Sequence, residues 1–390
     1  MPDEVLHNRH QVHQVDILVI GAGLAGTSAA TVLAKTGHAV ALVDIHAVHP
    51  NEFRTEKLSA HHMAMFEKLG LSETIKPIMT PMDDIHIYRF GRLFSRANGR
   101  EHGFRYSDLV NRMRNALPAE VRTFIAKVTA VFSDPTIQRV SLSTGVVIEA
   151  RLVVVATGLG NAVRRLAGGR RLKDAKAHSL SSGFDLAAKA DTFSFDALTY
   201  YGRRPTDRLA YLTLFPIGSI MRANMFVYRA VSEPWTAEFR NKPENTLRQM
   251  MPEITAQCAD FRINGKVTIR PIDLTSSEGH ERDGIVLIGD AFCTTCPVPG
   301  VGILRTMTDV DRLCNIHVPR WLATPGMPAR KIAEFYADDV KTVTDRSAVH
   351  ASYHAKNITI EPGLKWTLLR FRNNCVRRLL LLARLARLTR

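Results

Sequence analysis

The chain has 390 residues, 45% of them hydrophobic and 23% charged, with a net charge of +15, which excludes a fibrous or wholly disordered polymer and predicts two or three domains with a sizeable core. No apolar run approaches the ~18 residues of a conventional membrane span. Five cysteines, Cys258, Cys293, Cys296, Cys314 and Cys375, are too few and odd in number for a disulfide framework and fit a reducing cytoplasm.

Residues 1–14 are polar and His-rich, lack the apolar segment of a secretory signal, and read as a flexible leader. Val15 to Ile20 is a short β-branched run, the pattern of a buried parallel strand. It meets Gly21-Ala22-Gly23-Leu24-Ala25-Gly26, and the Ala- and Leu-rich stretch from Leu24 to Lys35, closed by Gly37, predicts a helix. Each glycine has a task in that strand, turn and helix. Gly21 permits the tight turn, Gly23 lets backbone approach a pyrophosphate, and Gly26 lets helix and strand pack closely. A lone glycine pattern is weak, but His38 to Val43 supplies a second strand. That strand ends in Asp44, eighteen residues after Gly26, where a carboxylate can accept hydrogen bonds from an adenosine ribose.

Further along, Ser107 to Leu117 reads as a helix, Ala126 to Phe132 as a strand, and Leu152 to Gly158 as a buried strand with its closing turn. Thr192 to Tyr201, Leu209 to Phe215 and Ser219 to Tyr228 show partial alternation, the pattern of an antiparallel sheet. Gly284 to Ile288 repeats the buried-strand pattern. Gly289-Asp290-Ala291 follows it, then Cys296-Pro297-Val298-Pro299-Gly300-Val301-Gly302 ahead of a helical stretch to Leu313. A carboxylate at Asp290 can pair with sugar hydroxyls, and side-chain-free amides at a helix start favour negative charge. Cys293 and Cys296 have a redox or zinc spacing, yet no second CxxC and no His pair at matching spacing follows, so no metal site is expected. No Ser-His-Asp order or HExxH motif points to another chemistry.

With a glycine-rich turn at one end and Gly289-Asp290, Pro297 and Gly300-Val301-Gly302 at the other, the chain resembles the flavoprotein monooxygenases of the para-hydroxybenzoate hydroxylase type over roughly residues 15 to 345. The resemblance implies an α/β fold. A Rossmann-type FAD-binding domain would be assembled from 15–80, 100–175 and 275–330, with an inserted antiparallel β-sheet substrate domain from 81–99 and 176–274 and a helical C-terminal region over 331–390. It also implies FAD as cofactor, NAD(P)H as transient reductant and O2 as co-substrate. Asp290 would meet the ribityl hydroxyls, and Pro297, Gly300 and Gly302 the isoalloxazine edge. Arg54 would meet the adenosine diphosphate, and the backbone of Val128 the adenine. Gly158 and Arg164 match the family's middle motif, but Thr157 stands where the family has Asp, and Asn161 where it has Ser. Because that Asp is linked to flavin and nicotinamide binding, a reductase of isoprenoid double bonds and a halogenase-like relative stand beside the monooxygenase reading. At Tyr106 the family often has Arg or Gln, a charge or amide that a phenol does not supply. In such proteins a sheet roofs the flavin, which makes Tyr200, Tyr201, Phe215 and Arg222 candidates for contact with an aromatic or isoprenoid-like substrate. No catalytic side chain is singled out, since the flavin carries the difficult chemistry.

From Lys365 to Arg390 there are eight basic residues and no acidic ones, leaving +7 for the rest of the chain. Leu364 to Arg390 predicts a helix with apolar surface on several sides, because Leu379 to Leu382 points in four successive directions. Such a helix can dock on its own chain or a second subunit. Alternatively, Trp366, Leu369, Phe371 and the leucines can enter a membrane interface with the arginines on lipid phosphates, which would suit a lipophilic substrate and a cytoplasmic protein peripheral to a membrane. The leucines argue against nucleic acid as partner. Outside enzymes, the rival reading is a membrane-surface protein that keeps a vestigial nucleotide fold.

Overall fold

The structure, a computed structural model, describes residues 11–54, 56–257 and 261–388, so Cys258 lies outside the described residues. In chain order the strands are β1 (Val12–Ile20), β2 (Val40–Asp44), β3 (Lys57–Leu58), β4 (Thr80–Arg89), β5 (Arg92–Gly103), β6 (Arg122–Ile125), β7 (Val128–Ser133) and β8 (Gln138–Leu142). They continue with β9 (Val147–Val155), β10 (Arg170–Lys189), β11 (Ala197–Tyr201), β12 (Leu209–Ile217), β13 (Ile220–Val227), β14 (Ile263–Glu278) and β15 (Ile285–Leu287).

One sheet has the order β6-β2-β1-β9-β8-β7, with β15 beside the C-terminal half of β9. Its centre, β6, β2, β1, β9 and β15, is parallel throughout. Parallel strands covered by helices are apolar on both faces, and β1 shows why its sequence does not alternate. Ile17 and Val19 pack under the helix Leu24–Lys35 with Ala29, Ala30 and Leu33, while Leu18 and Ile20 pack on the other side with Val153 and Val155.

The second sheet has the order β14-β10-β13-β12-β11-β4-β5-β3, antiparallel except where β11 runs parallel to β4. Here period two governs. Leu212, Leu214, Met221 and Met225 face a core closed by Phe239 and Leu247 of two short helices, Pro234–Asn241 and Pro243–Met250. Alternate residues of β11, β12 and β13, among them Tyr201, Tyr211, Thr213, Asn224 and Phe226, turn the other way and line a cavity. Two sequence expectations shift. Val12 to Gln14 already pair with Val147 to Glu149, so β1 begins inside the stretch expected to be a loose leader. The second sheet's strands also pass the limits 81–99 and 176–274, because β10 and β14 are long enough to carry the chain from one region into the other.

The helix Asp339–Ile360 starts at a pinned acid. Asp338 accepts the Lys341 backbone N–H at 3.0 Å, Arg312 at 2.8 to 3.1 Å, and lies 3.0 Å from His317 Nε2. Burial works against the carboxylate charge, but these donors outweigh it and hold Asp338 down at about 2, below its usual 3.8. A depressed acid contributes stability above its unfolded pKa and loses it as pH falls through the folded value. Asp338→Asn is therefore expected to cost about 2 kcal/mol at pH 7. The Tm gap between wild type and variant should close between about pH 4 and 2; a gap unchanged at low pH would refute this.

Candidate functional site

Ile20, Val155 and Leu287 lie side by side at the carboxyl ends of β1, β9 and β15. The loops that leave these strands therefore emerge together, the place where open parallel sheets bind ligands. Gly21 takes φ +102°, and a Cβ there would sit 2.6 Å from the Ala156 carbonyl oxygen. A Cβ on Gly26 would collide with the Gly21 carbonyl oxygen, whereas one on Gly23 would meet nothing within 4 Å. Two of the three glycines thus serve close packing and the third faces open space at the start of the helix Leu24–Lys35. Gly158, Gly300 and Gly302 are open in the same way.

At the end of β2, Asp44 accepts the Ala22 N–H at 2.6 Å and the His46 N–H at 2.8 Å. Arg114, from the helix Tyr106–Asn115, lies 3.3 Å from Asp44 and donates to the carbonyls of Ala22 and His46 at 2.7 Å each. It ties the acid to the glycine turn. Val128 is buried at the start of β7, and the adjacent Ala126 N–H reaches the Asp44 carbonyl at 2.9 Å.

Asp290 stands in a short turn after β15. Gly289 packs on the first motif's helix, since a Cβ there would lie 3.2 Å from Ala25 Cβ. Asp290 is flanked by Arg54 at 3.2 Å and Arg305 at 3.4 Å, and its carbonyl accepts from Arg171 at 3.0 Å. Arg54 lies 5.6 Å over the Tyr106 ring. Tyr106 supplies no charge, as expected; Arg54 on one side and Arg114 on the other supply it. Through Tyr106 the surroundings of Asp44 and Asp290 meet, although Asp44 is not part of the cavity wall that contains Asp290.

Beneath the turn is a buried ionic cluster. The Gly289 N–H donates to Asp309 at 2.8 Å, and Lys341 Nζ lies 2.7 Å from Asp309 and 2.9 Å from Asp345. Arg305, 1% exposed, donates to the Cys293 carbonyl at 2.5 Å. Burial opposes its charge, but Asp309, Asp290 and Asp345 hold its guanidinium above the usual value. Arg164 is also buried; it reaches the Ala291 carbonyl and Asn161, and burial, then the neighbouring Arg171, push it down to about 10.

A cavity of about 650 Å³ lies between this turn and the second sheet. Asp290, Arg54, Pro297, Gly300 and Gly302 line one side, and Tyr201, Tyr211, Asn224 and Phe226 the other. His62 joins it: Ser59 N–H approaches Nδ1 at 3.2 Å and Nε2 lies 3.0 Å from the Gly300 carbonyl, which suits a neutral ring that clamps the Gly300 turn. Burial lowers its pKa in keeping with that. Of the four substrate candidates, only Tyr201 lines the cavity. Tyr200 falls on the opposite face of β11, 6.4 Å from Tyr88 with its hydroxyl on Glu253, because neighbouring strand residues point to opposite sides. Phe215 shares the face of Tyr211 but is fully buried beyond the cavity, close against Gly103. Arg222 is occupied by Glu56 at 2.8 Å and Asp185 at 2.5 Å. Glu56 itself lines the cavity, and burial pushes its carboxyl up to about 7 against the pull of Arg222. Cys293 and Cys296 are buried; burial raises Cys293 to about 11, and Cys296 lies 3.4 Å from Ser179.

Residues 14–316 match the family described as FAD binding domain. The chain belongs to that FAD-binding family. Among curated relatives, squalene epoxidase 4 of Arabidopsis thaliana is 21% identical over 337 residues, 78% of this chain; the chain spans 62% of that protein's length, less than two thirds. Among solved structures, p-nitrophenol 4-monooxygenase PnpA of Pseudomonas putida aligns with a TM-score of 0.73 at 16% identity, over 96% of this chain and 98% of that one. PqsL of Pseudomonas aeruginosa, in complex with 2-aminobenzoylacetate, aligns at 0.71 and 20% identity, over 90% and 97%. These likenesses show the fold, a Rossmann-type FAD-binding domain with an added sheet and a helical C-terminus.

For an FAD-binding protein the residues fit the cofactor. Open space lies over Gly23, Gly158, Gly300 and Gly302, and the buried Thr157 Oγ1 and Arg171 Nε lack a hydrogen-bond partner. The sequence reading missed Arg114, His62 and the Arg305, Asp309, Lys341 and Asp345 cluster. The i,i+4 spacing of Arg305 with Asp309 and of Lys341 with Asp345 was a visible signal, since paired charges on a buried helix face are rarely incidental. Nothing in the sequence separates Arg114 from its neighbour Arg112.

Proposed function

We propose that the chain is an FAD-dependent monooxygenase that uses NAD(P)H and O2 to hydroxylate or epoxidise an aromatic or isoprenoid-like molecule. One observation carries this reading: a single cavity joins the Asp290 turn and the Gly300 helix start to an aromatic sheet face, which brings cofactor and substrate into one space. The name of the Pseudomonas putida neighbour favours monooxygenation, and that of the plant relative an isoprenoid substrate.

When bound, FAD supplies hydride transfer and oxygen activation. In this arrangement Gly21 to Gly26 and Asp44 hold the adenosine end, with Ala22, Leu24 and Ala25 in the turn. Arg54 and Asp290 hold the linker, and Pro297, Gly300 and Gly302 the ring edge. The amides of the Gly302–Asp311 helix start, with Arg171 nearby, favour developing negative charge there. His62 fixes the Gly300 carbonyl, Glu56 Oε can hold or release a proton near neutrality, and Tyr211 and Phe226 exclude water. Oxygen uptake coupled to nicotinamide oxidation tests the reading; a flavin-loaded protein that consumes no oxygen with any aromatic or isoprenoid substrate would count against it. Thr157, in place of Asp, suits two rivals as well, a reductase of isoprenoid double bonds and a halogenase-like relative; product formed without oxygen would establish the reductase.

The C-terminal helix Leu364–Leu388 is assigned here to a cytoplasmic membrane surface. Leu364, Leu368, Phe371, Leu379 and Leu382 are exposed along one stripe of a helix rich in arginine, a surface suited to anionic lipid. Trp366 is not part of it, for it packs 5.6 Å from His354. No helix among the described residues is long and apolar enough to cross a membrane.

A further inference from the structure

A second cavity, of about 280 Å³, lies between the ends of β4, β11 and β12 and the helices Asp339–Ile360 and Leu364–Leu388. Tyr201, Tyr211 and Val298 line both cavities, so one layer of side chains separates them. That layer is ordered: Tyr211 donates to the Val298 carbonyl at 2.8 Å, and the Tyr201 and Tyr211 rings stand 5.8 Å apart. The second cavity has an unbalanced charge. Arg89, Arg203, Arg204, Arg370 and Arg377 line it, and no acidic residue does among the described residues. Arg203 is paired with Glu253 at 2.7 Å, and Arg370 is held by the Ile358 carbonyl and Thr367. Arg89 stacks 3.6 Å over Tyr201, in the wall itself. Burial, and Arg377 beside it, both act to lower the Arg89 pKa, so two cations share a partly buried space. Like charges gathered that way are stabilised by an anion bound between them. Asn373 and Asn374 add amide donors on the same side of the helix. The apolar stripe of that helix is exposed to solvent, away from these residues.

We propose that the second cavity holds the anionic head, a phosphate or diphosphate, of an amphiphilic substrate whose apolar chain passes between Tyr201 and Tyr211 into the flavin-facing cavity. This rests on the monooxygenase reading for the fate of the chain, but the site is read from its own residues. Arg89 and Arg377 grip the head with charge-assisted hydrogen bonds. The chain then displaces the Tyr211 hydroxyl from Val298 and exposes its far end to the flavin. The phosphate could belong to the substrate or to a membrane lipid, and the test separates these.

The FAD-loaded full chain is titrated with octyl phosphate below its micelle concentration, with inorganic phosphate and with octanol, followed by calorimetry and by the flavin absorption spectrum. Octyl phosphate is expected to bind saturably and shift the spectrum, and inorganic phosphate to compete without a shift. Arg89→Gln with Arg377→Gln should weaken octyl phosphate at least tenfold, while Arg377→Lys alone stays within about threefold. Because Arg89 packs on Tyr201, Arg377→Gln alone is measured as well, with flavin content and Tm as the check on folding. Octyl phosphate affinity unchanged in a folded Arg377→Gln protein would overturn the site. Arginine-dependent binding to phosphatidylglycerol vesicles, with none to octyl phosphate, would overturn the substrate assignment in favour of a lipid headgroup. A flavin-loaded, oxygen-consuming protein that ignores octyl phosphate sinks only this inference; a protein that binds octyl phosphate but never consumes oxygen sinks only the monooxygenase reading.

Discussion

Gly26→Ala is expected to leave the protein unable to retain FAD, with affinity lowered at least about a hundredfold, or roughly 3 kcal/mol. The added methyl would run into the Gly21 carbonyl and lie 3.2 Å from Ala156 Cβ, so helix and turn must part. That movement displaces the Ala22 amide from Asp44 and the Ala22 carbonyl from Arg114, contacts of 2.6 and 2.7 Å. Gly23→Ala is the informative contrast. Its methyl meets nothing within 4 Å, so the apo-protein should keep its Tm. The methyl would nevertheless occupy the space assigned to the pyrophosphate, and FAD affinity should fall with little change in the fold. Bound flavin per chain and apo-protein Tm, measured on both variants, check this pair. A Gly26→Ala protein with full flavin content would show that the close approach is not required.

Lys341→Met is expected to lower stability by about 3–5 kcal/mol, because it leaves a buried carboxylate without its nearest cation. Asp309 is 1% exposed; without Lys341 at 2.7 Å its one cationic partner among the described residues is Arg305 at 3.8 Å. Lys341 also lies 4.2 Å from the Phe292 ring, so the methionine keeps packing and loses charge. The consequence reaches the cofactor site, since Asp309 accepts the Gly289 N–H at 2.8 Å and so fixes the turn that carries Asp290. Lys341→Met should therefore reduce flavin content as well as Tm. Adding Asp309→Leu should recover much of the stability, because an apolar pair replaces an unpaired charge, but not the flavin, because Gly289 has lost its acceptor. Denaturation midpoints and flavin content of the single and double variants decide it; a single variant within about 1 kcal/mol of wild type would refute it.

What could be read from the sequence follows from how local each signal is. Gly21 to Gly26, Asp44, Gly289 and Asp290 sit at strand ends, where turn geometry dictates residue type, and the structure gathers their surroundings at the carboxyl ends of the central parallel strands. Contacts that depend on tertiary direction were harder to read. Tyr200 and Tyr201 are adjacent and chemically alike, and only the register of β11 against β12 sends one to the core and the other to the cavity. Arg222 has the residue type of a substrate ligand, but Glu56, 166 residues away in sequence, occupies it. Arg114 and Lys341 act across the fold for the same reason. The tail's charge was plain in the sequence. Its outer stripe was not, because which leucines stay exposed depends on the side that rests on the helix Asp339–Ile360.

The central claim is that two distant stretches of backbone enclose one FAD. Its most direct test is flavin stoichiometry, measured by visible absorption on protein purified with added FAD, for wild type, Gly26→Ala and Asp290→Ala. We expect one flavin per chain in wild type and little in either variant. A colourless wild type, or an Asp290→Ala protein that holds FAD as tightly as wild type, would contradict the account.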